Sequence, residues 1–240
     1  MPDHAFTDAR LAGLYDALNP WGPGDDFYLD LVRGAGSVLD VGCGTGALLI
    51  RAREEGHPGR LCGLDPAEAM LAVARRRADV EWVRGTLDTA RPDGPFDLVV
   101  MTGHAFQVLV TDTEIRTSLE AVRGLLAPGG RFAFETRNPA ARAWEGWTPA
   151  RGAEVGGVRV AHEVVAGHDG RTVTFDTTFS ATGWAAPEAS RSTLRFLSEG
   201  QLDVFLEEAG LVPSVRYGAF DLSPLTASSP EIVSVCQVTD

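Results

Sequence analysis

Val38-Leu39-Asp40-Val41-Gly42-Cys43-Gly44-Thr45-Gly46 runs directly into the apolar stretch Ala47-Leu48-Leu49-Ile50. Aliphatic residues on both sides of Asp40 suit a buried parallel strand. Glycines at three alternate positions let the backbone turn tightly and approach a ligand where a Cβ would clash. The run after Gly46 predicts a helix, whose N-terminus can receive a polar or anionic group. Asp40, just before the glycines, suits a ligand that also carries a cation. The same residues admit a rival reading, because Gly42-x-Gly44-x-x-Ala47 also fits the fingerprint for nicotinamide or flavin dinucleotides. Asp65 follows at roughly the ~20-residue offset that this fingerprint expects.

Size and composition bound the choice. A chain of 240 residues accommodates one sizeable α/β domain with a subdomain, and 44% hydrophobic and 22% charged residues describe an ordinary globule. No apolar stretch approaches the ~18 residues of a membrane span, and the start lacks a basic-then-apolar signal pattern. Cys43, Cys62 and Cys236 are odd in number and show no C-x-x-C spacing. They argue against a disulfide framework or a structural zinc and fit a reducing cytoplasm, with no metal expected. The formal charge is −12, and Arg75-Arg76-Arg77, inside an expected helix, reads as a solvated face. Such an acidic surface repels nucleic acid and leaves a small molecule as the expected partner. Monomer and homodimer stay open.

Strand and helix alternate from Ser37 to Thr136. Strands are expected at 37–41, 61–65, 80–84, 96–102 and 131–136, and helices at 46–55, 66–77 and 113–126, with only a loop over 85–95. This pattern implies a parallel sheet covered on both faces. Before it, Asp8 to Leu18 forms a short helix, and Asp25 or Asp26 caps a second one through Val32. After Pro139, segments 158–164, 172–177 and 193–197 favour antiparallel β structure, with His168-Asp169-Gly170 as a hairpin signal. Ser198 then caps a helix over 201–209 with Gly210 as its stop, and 212–220 and 232–238 complete the sheet as an antiparallel pair.

Taken together, the D-x-G-x-G-x-G turn, Leu61-Cys62-Gly63-Leu64-Asp65, Arg84-Gly85-Thr86-Leu87-Asp88, Phe96-Asp97-Leu98-Val99-Val100 and Leu125-Leu126-Ala127-Pro128-Gly129-Gly130 resemble the class I S-adenosylmethionine (SAM)-dependent methyltransferases. The resemblance covers about residues 37–136. It implies a Rossmann-like, doubly wound, seven-stranded mixed α/β sheet with its last strand antiparallel. Residues 1–36 become a helical lid, 37–139 the cofactor-binding core, about 152–197 a β insertion over the acceptor, and 198–240 the closing helix and strands. It further implies SAM as cofactor, S-adenosylhomocysteine as product, and methyl transfer to an O or N atom of a small molecule such as a sugar or secondary metabolite. The alternatives are an NAD(P)-dependent oxidoreductase and a SAM-binding module without catalysis.

The motif and the resemblance together imply these cofactor contacts: Tyr15, Asp40, Gly42, Cys43, Gly44, Gly46, Asp65, Pro66, Met70, Thr86, Leu87, Met101 and Thr102. Asp65 is placed to accept both ribose hydroxyls, although Asp65-Pro66-Ala67-Glu68 also reads as a capping box. Thr86 stands where the family has an aspartate, with Asp88 as the alternative adenine contact. His104, in the loop after the fourth strand, and Glu135, at the end of the fifth, are candidate bases. Arg137 and Asn138 share that edge. Trp144, Trp147 and Trp184 wall an acceptor pocket or form the insertion's own core. His162 and His168 belong to the insertion.

Overall fold

The computed structural model describes residues 2–166 and 171–239, so the His168-Asp169-Gly170 hairpin lies outside the described residues. Three short helices open the chain: α1 (His4–Thr7), α2 (Ala9–Ala12) and α3 (Tyr15–Leu18). Asp8, in extended backbone, separates α1 from α2 and caps Arg10 and Leu11, and the single helix expected over 8–18 is interrupted at Gly13-Leu14. Helix α4 (Pro23–Arg33) begins earlier than expected. Gly22 is its cap, and Asp25, three residues in, accepts from the Gly22 amide at 2.8 Å.

The core then alternates: β1 (Ser37–Val41), α5 (Ala47–Glu54), β2 (Arg60–Asp65), α6 (Glu68–Ala74), β3 (Glu81–Arg84), β4 (Phe96–Met101), α7 (Asp112–Leu125) and β5 (Leu126–Arg137). Residues 85–95 carry no helix, as the sequence suggested. Strand β5 starts at Leu126 rather than 131, so the Pro-Gly-Gly turn is a kinked strand entry, with a register shift between Phe96 and Leu98 opposite it. The insertion follows as β6 (Ala153–Val155), β7 (Val158–Ala166), β8 (Thr172–Ala181) and β9 (Glu188–Arg195), a separate antiparallel four-stranded sheet. Strand β6 is not anticipated by the sequence pattern, and β9 begins at Glu188, well before the expected 193. Helix α8 (Glu199–Glu208), capped by Ser198, leads into β10 (Leu211–Tyr217) and β11 (Glu231–Val238).

The described residues of the main sheet run in the order β10-β11-β5-β4-β1-β2-β3. Strands β1 to β5 pair in parallel, and β11 is antiparallel to both of its neighbours. Strand order reverses between β1 and β4, and ligands bind such sheets outside the carboxyl ends at that switch point. Alternation along the strands divides the core. Leu39, Val99, Phe132 and Phe134 face Ile115, Leu119 and Val122 of α7, whereas Val38, Leu98, Val100 and Ala133 face Tyr28, Leu29 and Val32 of α4. Burying each such large side chain contributes roughly 1.5–3 kcal/mol.

The opening helices bridge the two sheets. Leu11 is buried among Val158, Val160 and Phe179 of the insertion, and Ala12 among Ala67 and Met70 of the core. Ala5 donates to Ser190 Oγ at 2.9 Å, and Arg10 stacks on Trp184 at 3.9 Å. No helix among the described residues is long and apolar enough to cross a membrane.

Candidate active site

Gly42, Gly44 and Gly46 all hold positive φ, at 78°, 56° and 79°. A Cβ on Gly46 would collide with the Trp82 ring, and one on Gly42 would lie 2.9 Å from Ala105. Only glycine lets this turn exist, because both the dihedrals and the space forbid a side chain. Asp65 braces the turn from the end of β2: one carboxylate oxygen accepts from the Gly44 amide at 2.9 Å and the other from Ala67 at 2.8 Å. The expected capping box is therefore absent. Helix α6 starts at Glu68 without a side-chain cap, since Asp65 is occupied by the turn. Burial raises the Asp65 pKa, while the two amide bonds oppose that rise.

Asp40 is buried, and its Oδ1 has no hydrogen-bond partner. Burial first, then the charges of Asp65 and Glu135, push its pKa up to about 8. An orphaned buried carboxylate oxygen beside a glycine turn fits a ligand that brings a cationic donor. The direction of this shift fixes a pH dependence. The folded pKa lies above the unfolded 3.8, so this group's contribution to stability is full below 3.8 and is lost as pH rises to about 8. Thermal melts of the ligand-free protein should therefore fall as pH rises from about 5 to about 8, by up to ~1.4 kcal/mol per pH unit. D40N should flatten that slope, and an equally steep decline in D40N would refute the assignment.

The other expected cofactor residues are placed in different ways. Tyr15 packs edge-on against Phe6 beside the buried Met70, over the start of α6. Burial, then Asp65, raises its pKa. Asp16 beside it accepts from Thr45 Oγ1 at 2.5 Å, which ties the opening helices to the glycine turn. Met70 Cε sits 3.2 Å from where a Cβ on Gly44 would be. Pro66 and Thr102 are half-buried. The Cys43 side chain turns away and packs with Leu71, Ala74 and Trp82, so only its backbone lines the turn. Thr86 is exposed, its amide donating to Thr89 Oγ1 at 2.9 Å, whereas Leu87 and Met101 are core residues.

A second constellation lies at the ends of β4, β5 and β11. His104 holds a left-handed φ of 63°, uncommon outside glycine and a frequent mark of functional loops. Its amide donates to Glu135 Oε1 at 2.6 Å, and the other Glu135 oxygen accepts from the Tyr28 hydroxyl. Both Glu135 oxygens are thus engaged, and burial raises its pKa. Glu135 shapes the His104 loop and is not a free base. The imidazole Nε2 of His104 lies 3.1 Å from both oxygens of Glu231, at the start of β11.

Glu231 stands opposite Arg137 in the strand register. Gln107, fully buried, accepts from the Arg137 guanidinium at 3.1 Å and donates to the Arg195 carbonyl at 2.9 Å, joining β5 to the insertion. Tyr28 and Glu231 are not legible as site residues from the sequence. The one signal for Glu231 is that the last strand pairs beside the fifth. Asn138 is structural, donating to the Ser229 carbonyl at 2.9 Å.

Trp144 packs with Val173, Leu194 and Phe196 as the insertion's own core, and Trp184 stacks under Arg10. Trp147 contacts Phe175 and lines, with Pro149 and Glu163, a cavity of about 400 Å³. His162 Nδ1 lies 3.0 Å from Thr177 Oγ1, and burial, then the Arg137 charge, lowers its pKa. Among the described residues, His4, Asp8 and Glu188 bring three potential metal ligands together at the surface, where Arg10 already pairs with Glu188.

Residues 38–130 match a family model described as a methyltransferase domain. The chain's fold is that of the class I SAM-dependent methyltransferases. The matched stretch includes the glycine turn, Asp65 and the loop after β4. The chain matches several curated methyltransferases at 30–38% identity but spans only 44–60% of their length. Nearly the whole chain, 91%, aligns at 28% identity with 89% of the dTDP-4-amino-2,3,4,6-tetradeoxy-D-glucose N,N-dimethyltransferase of Saccharopolyspora spinosa. The methyltransferase fold also covers 98% of both chains in the CcbJ methyltransferase of Streptomyces caelestis, at 21% identity and a TM-score of 0.81. An amino pentose methyltransferase from Micromonospora echinaspora, solved with SAM bound, shares 26% identity over 94% of this chain and 97% of its own, at a TM-score of 0.69.

Proposed function

We propose that the chain transfers a methyl group from SAM to an oxygen or nitrogen of a small molecule. The observation that carries this reading is the unpartnered Oδ1 of Asp40 beside three glycines of positive φ, with Asp65 at the next strand end. A buried acid at the end of β1, beside the turn, suits a cation-bearing amino-acid tail, whereas the pyrophosphate of a nicotinamide dinucleotide brings it no cationic donor. Asp40 and the glycine backbone would hold that tail, Asp65 the ribose, Met70 and Leu87 the adenine side, and Tyr15 the lid over them. Thr86, Pro66 and Thr102 would complete the rim, above the buried Met101. When bound, SAM supplies a methyl activated by its positively charged sulfur.

The chain's own work is then orientation and proton removal. Positioning two reactants contributes up to roughly 7–11 kcal/mol. A histidine whose Nε2 faces a carboxylate donates that N–H and keeps its Nδ1 lone pair. Glu231 holds His104 in this way. His104 Nδ1 would take the proton of a protonated acceptor. The relatives' names include quinone and amino-sugar methyltransferases, so a hydroxyl or amine on a ring is the acceptor class to test first. We place the enzyme in a reducing cytoplasm, since Cys43, Cys62 and Cys236 are free and buried, and acting on a small molecule, not nucleic acid.

Calorimetry with SAM and NAD tests the cofactor: SAM should bind and NAD should not, and the reverse would overturn the reading. Labelled methyl transfer to a panel of amino sugars, phenols and amines tests the activity. SAM binding with no methylated product across that panel would leave a binding module in place of an enzyme.

A further inference from the structure

Arg137 is the unexplained charge of this site. Its side chain is half-buried at the junction of the core, the opening helices and the insertion, within electrostatic reach of Glu231, Glu135 and Tyr15. It stacks over the Trp147 ring at 5.3 Å. Its one side-chain hydrogen bond among the described residues goes from Nη1 to the neutral amide oxygen of Gln107. The two nearby carboxylates are committed elsewhere: Glu135 to Tyr28 and the His104 amide, Glu231 to the His104 ring. Neither lies within ion-pair distance of the guanidinium. Nε and Nη2 therefore carry donors without a protein acceptor among the described residues, and neither nitrogen is sealed from solvent.

A guanidinium offers a planar fork of donors suited to two oxygens of one anion. Gln107, anchored to Arg195, fixes one edge of this fork, and Trp147 covers its face. The free edge is thus pre-oriented at low entropic cost. On a chain of net charge −12, a local cation of this kind is what an anionic acceptor would need for capture.

We propose that Arg137, backed by Gln107 and Trp147, is an oxyanion subsite of the acceptor pocket, so that the acceptor carries a carboxylate or a phosphate besides the atom that is methylated. The inference rests on the methyltransferase reading above. Inorganic pyrophosphate and succinate distinguish the two sources of oxyanion. Each is titrated into the SAM-loaded protein at constant ionic strength, with tryptophan fluorescence as the signal. One of them should change the emission saturably, and the change should vanish in W147F. Arg137→Gln should weaken that binding about tenfold or more. Arg137→Lys, which keeps the charge and loses the fork, should fall in between. R142Q, at an exposed arginine paired with Glu145, should behave as wild type.

Calorimetric SAM affinity is measured on every variant and should not change. If SAM binds wild type while neither anion does, or if R137Q and R142Q weaken the anion equally, the oxyanion subsite is refuted and the methyltransferase reading stands. If SAM itself does not bind, that reading fails. Should R137Q melt before the assay temperature, the R137K variant and the wild-type titration still decide the matter.

Discussion

Replacing Asp65 with alanine is expected to weaken SAM binding by about 100-fold or more, because hydrogen bonds to a charged group contribute roughly 1.5–3 kcal/mol each. The carboxylate acts twice in this structure. It holds the Gly44 and Ala67 amides at 2.9 and 2.8 Å, and so shapes the turn that receives the ligand's tail. In the proposed complex it also accepts from the ribose. D65N keeps one acceptor oxygen and should recover part of the affinity. Calorimetry on both variants, with a thermal melt to show that each is folded, measures the effect. The melt should drop only modestly, since the apolar core on both sheet faces is untouched. Undiminished SAM affinity in a folded D65A protein would remove the basis of the functional reading.

The second large effect is expected at His104. Proton removal by a positioned side chain typically contributes about 10²–10⁴-fold, so H104A should lower kcat by about 100-fold while leaving SAM affinity near wild type. In the proposed mechanism Glu231 does not touch the acceptor and acts by holding the ring through two 3.1 Å contacts. E231Q should therefore lower kcat by about tenfold, with little change in KM for the acceptor. The discriminating measurement is the double variant. If Glu231 works only through His104, H104A/E231Q should be no slower than H104A alone, the non-additivity of groups that act as a unit. Additive losses would assign Glu231 an independent role, and full activity in H104A would strip His104 of its role as base.

Much of the architecture is legible because it follows from local rules. The alternation of aliphatic runs with amphipathic segments specifies a parallel sheet with helices on both faces. Ser198 with Gln201, and Thr111 with Glu114, form capping boxes that set the starts of α8 and α7. Local rules mislead where a side chain has a stronger partner far away. Asp65 reads as the cap of α6, but Gly44, brought next to it by the β1–β2 pairing, takes one of its oxygens. Glu135 reads as a base, but Tyr28 from α4 and the His104 amide consume it. Cys43 lies within the motif, yet its side chain fills a gap behind Gly63.

What the sequence alone determined is the nature of the cofactor end. Glycines that tolerate positive φ, and acids at the ends of two successive strands, are short-range features written into one turn and one offset. The proposed acceptor end is decided only by tertiary structure. His104, Glu135, Arg137 and Glu231 converge because the final strand reverses and inserts beside the fifth, setting Glu231 opposite Arg137 although the two are far apart along the chain. Each of those residues had several chemically reasonable partners in the sequence, and sheet register is what selected among them.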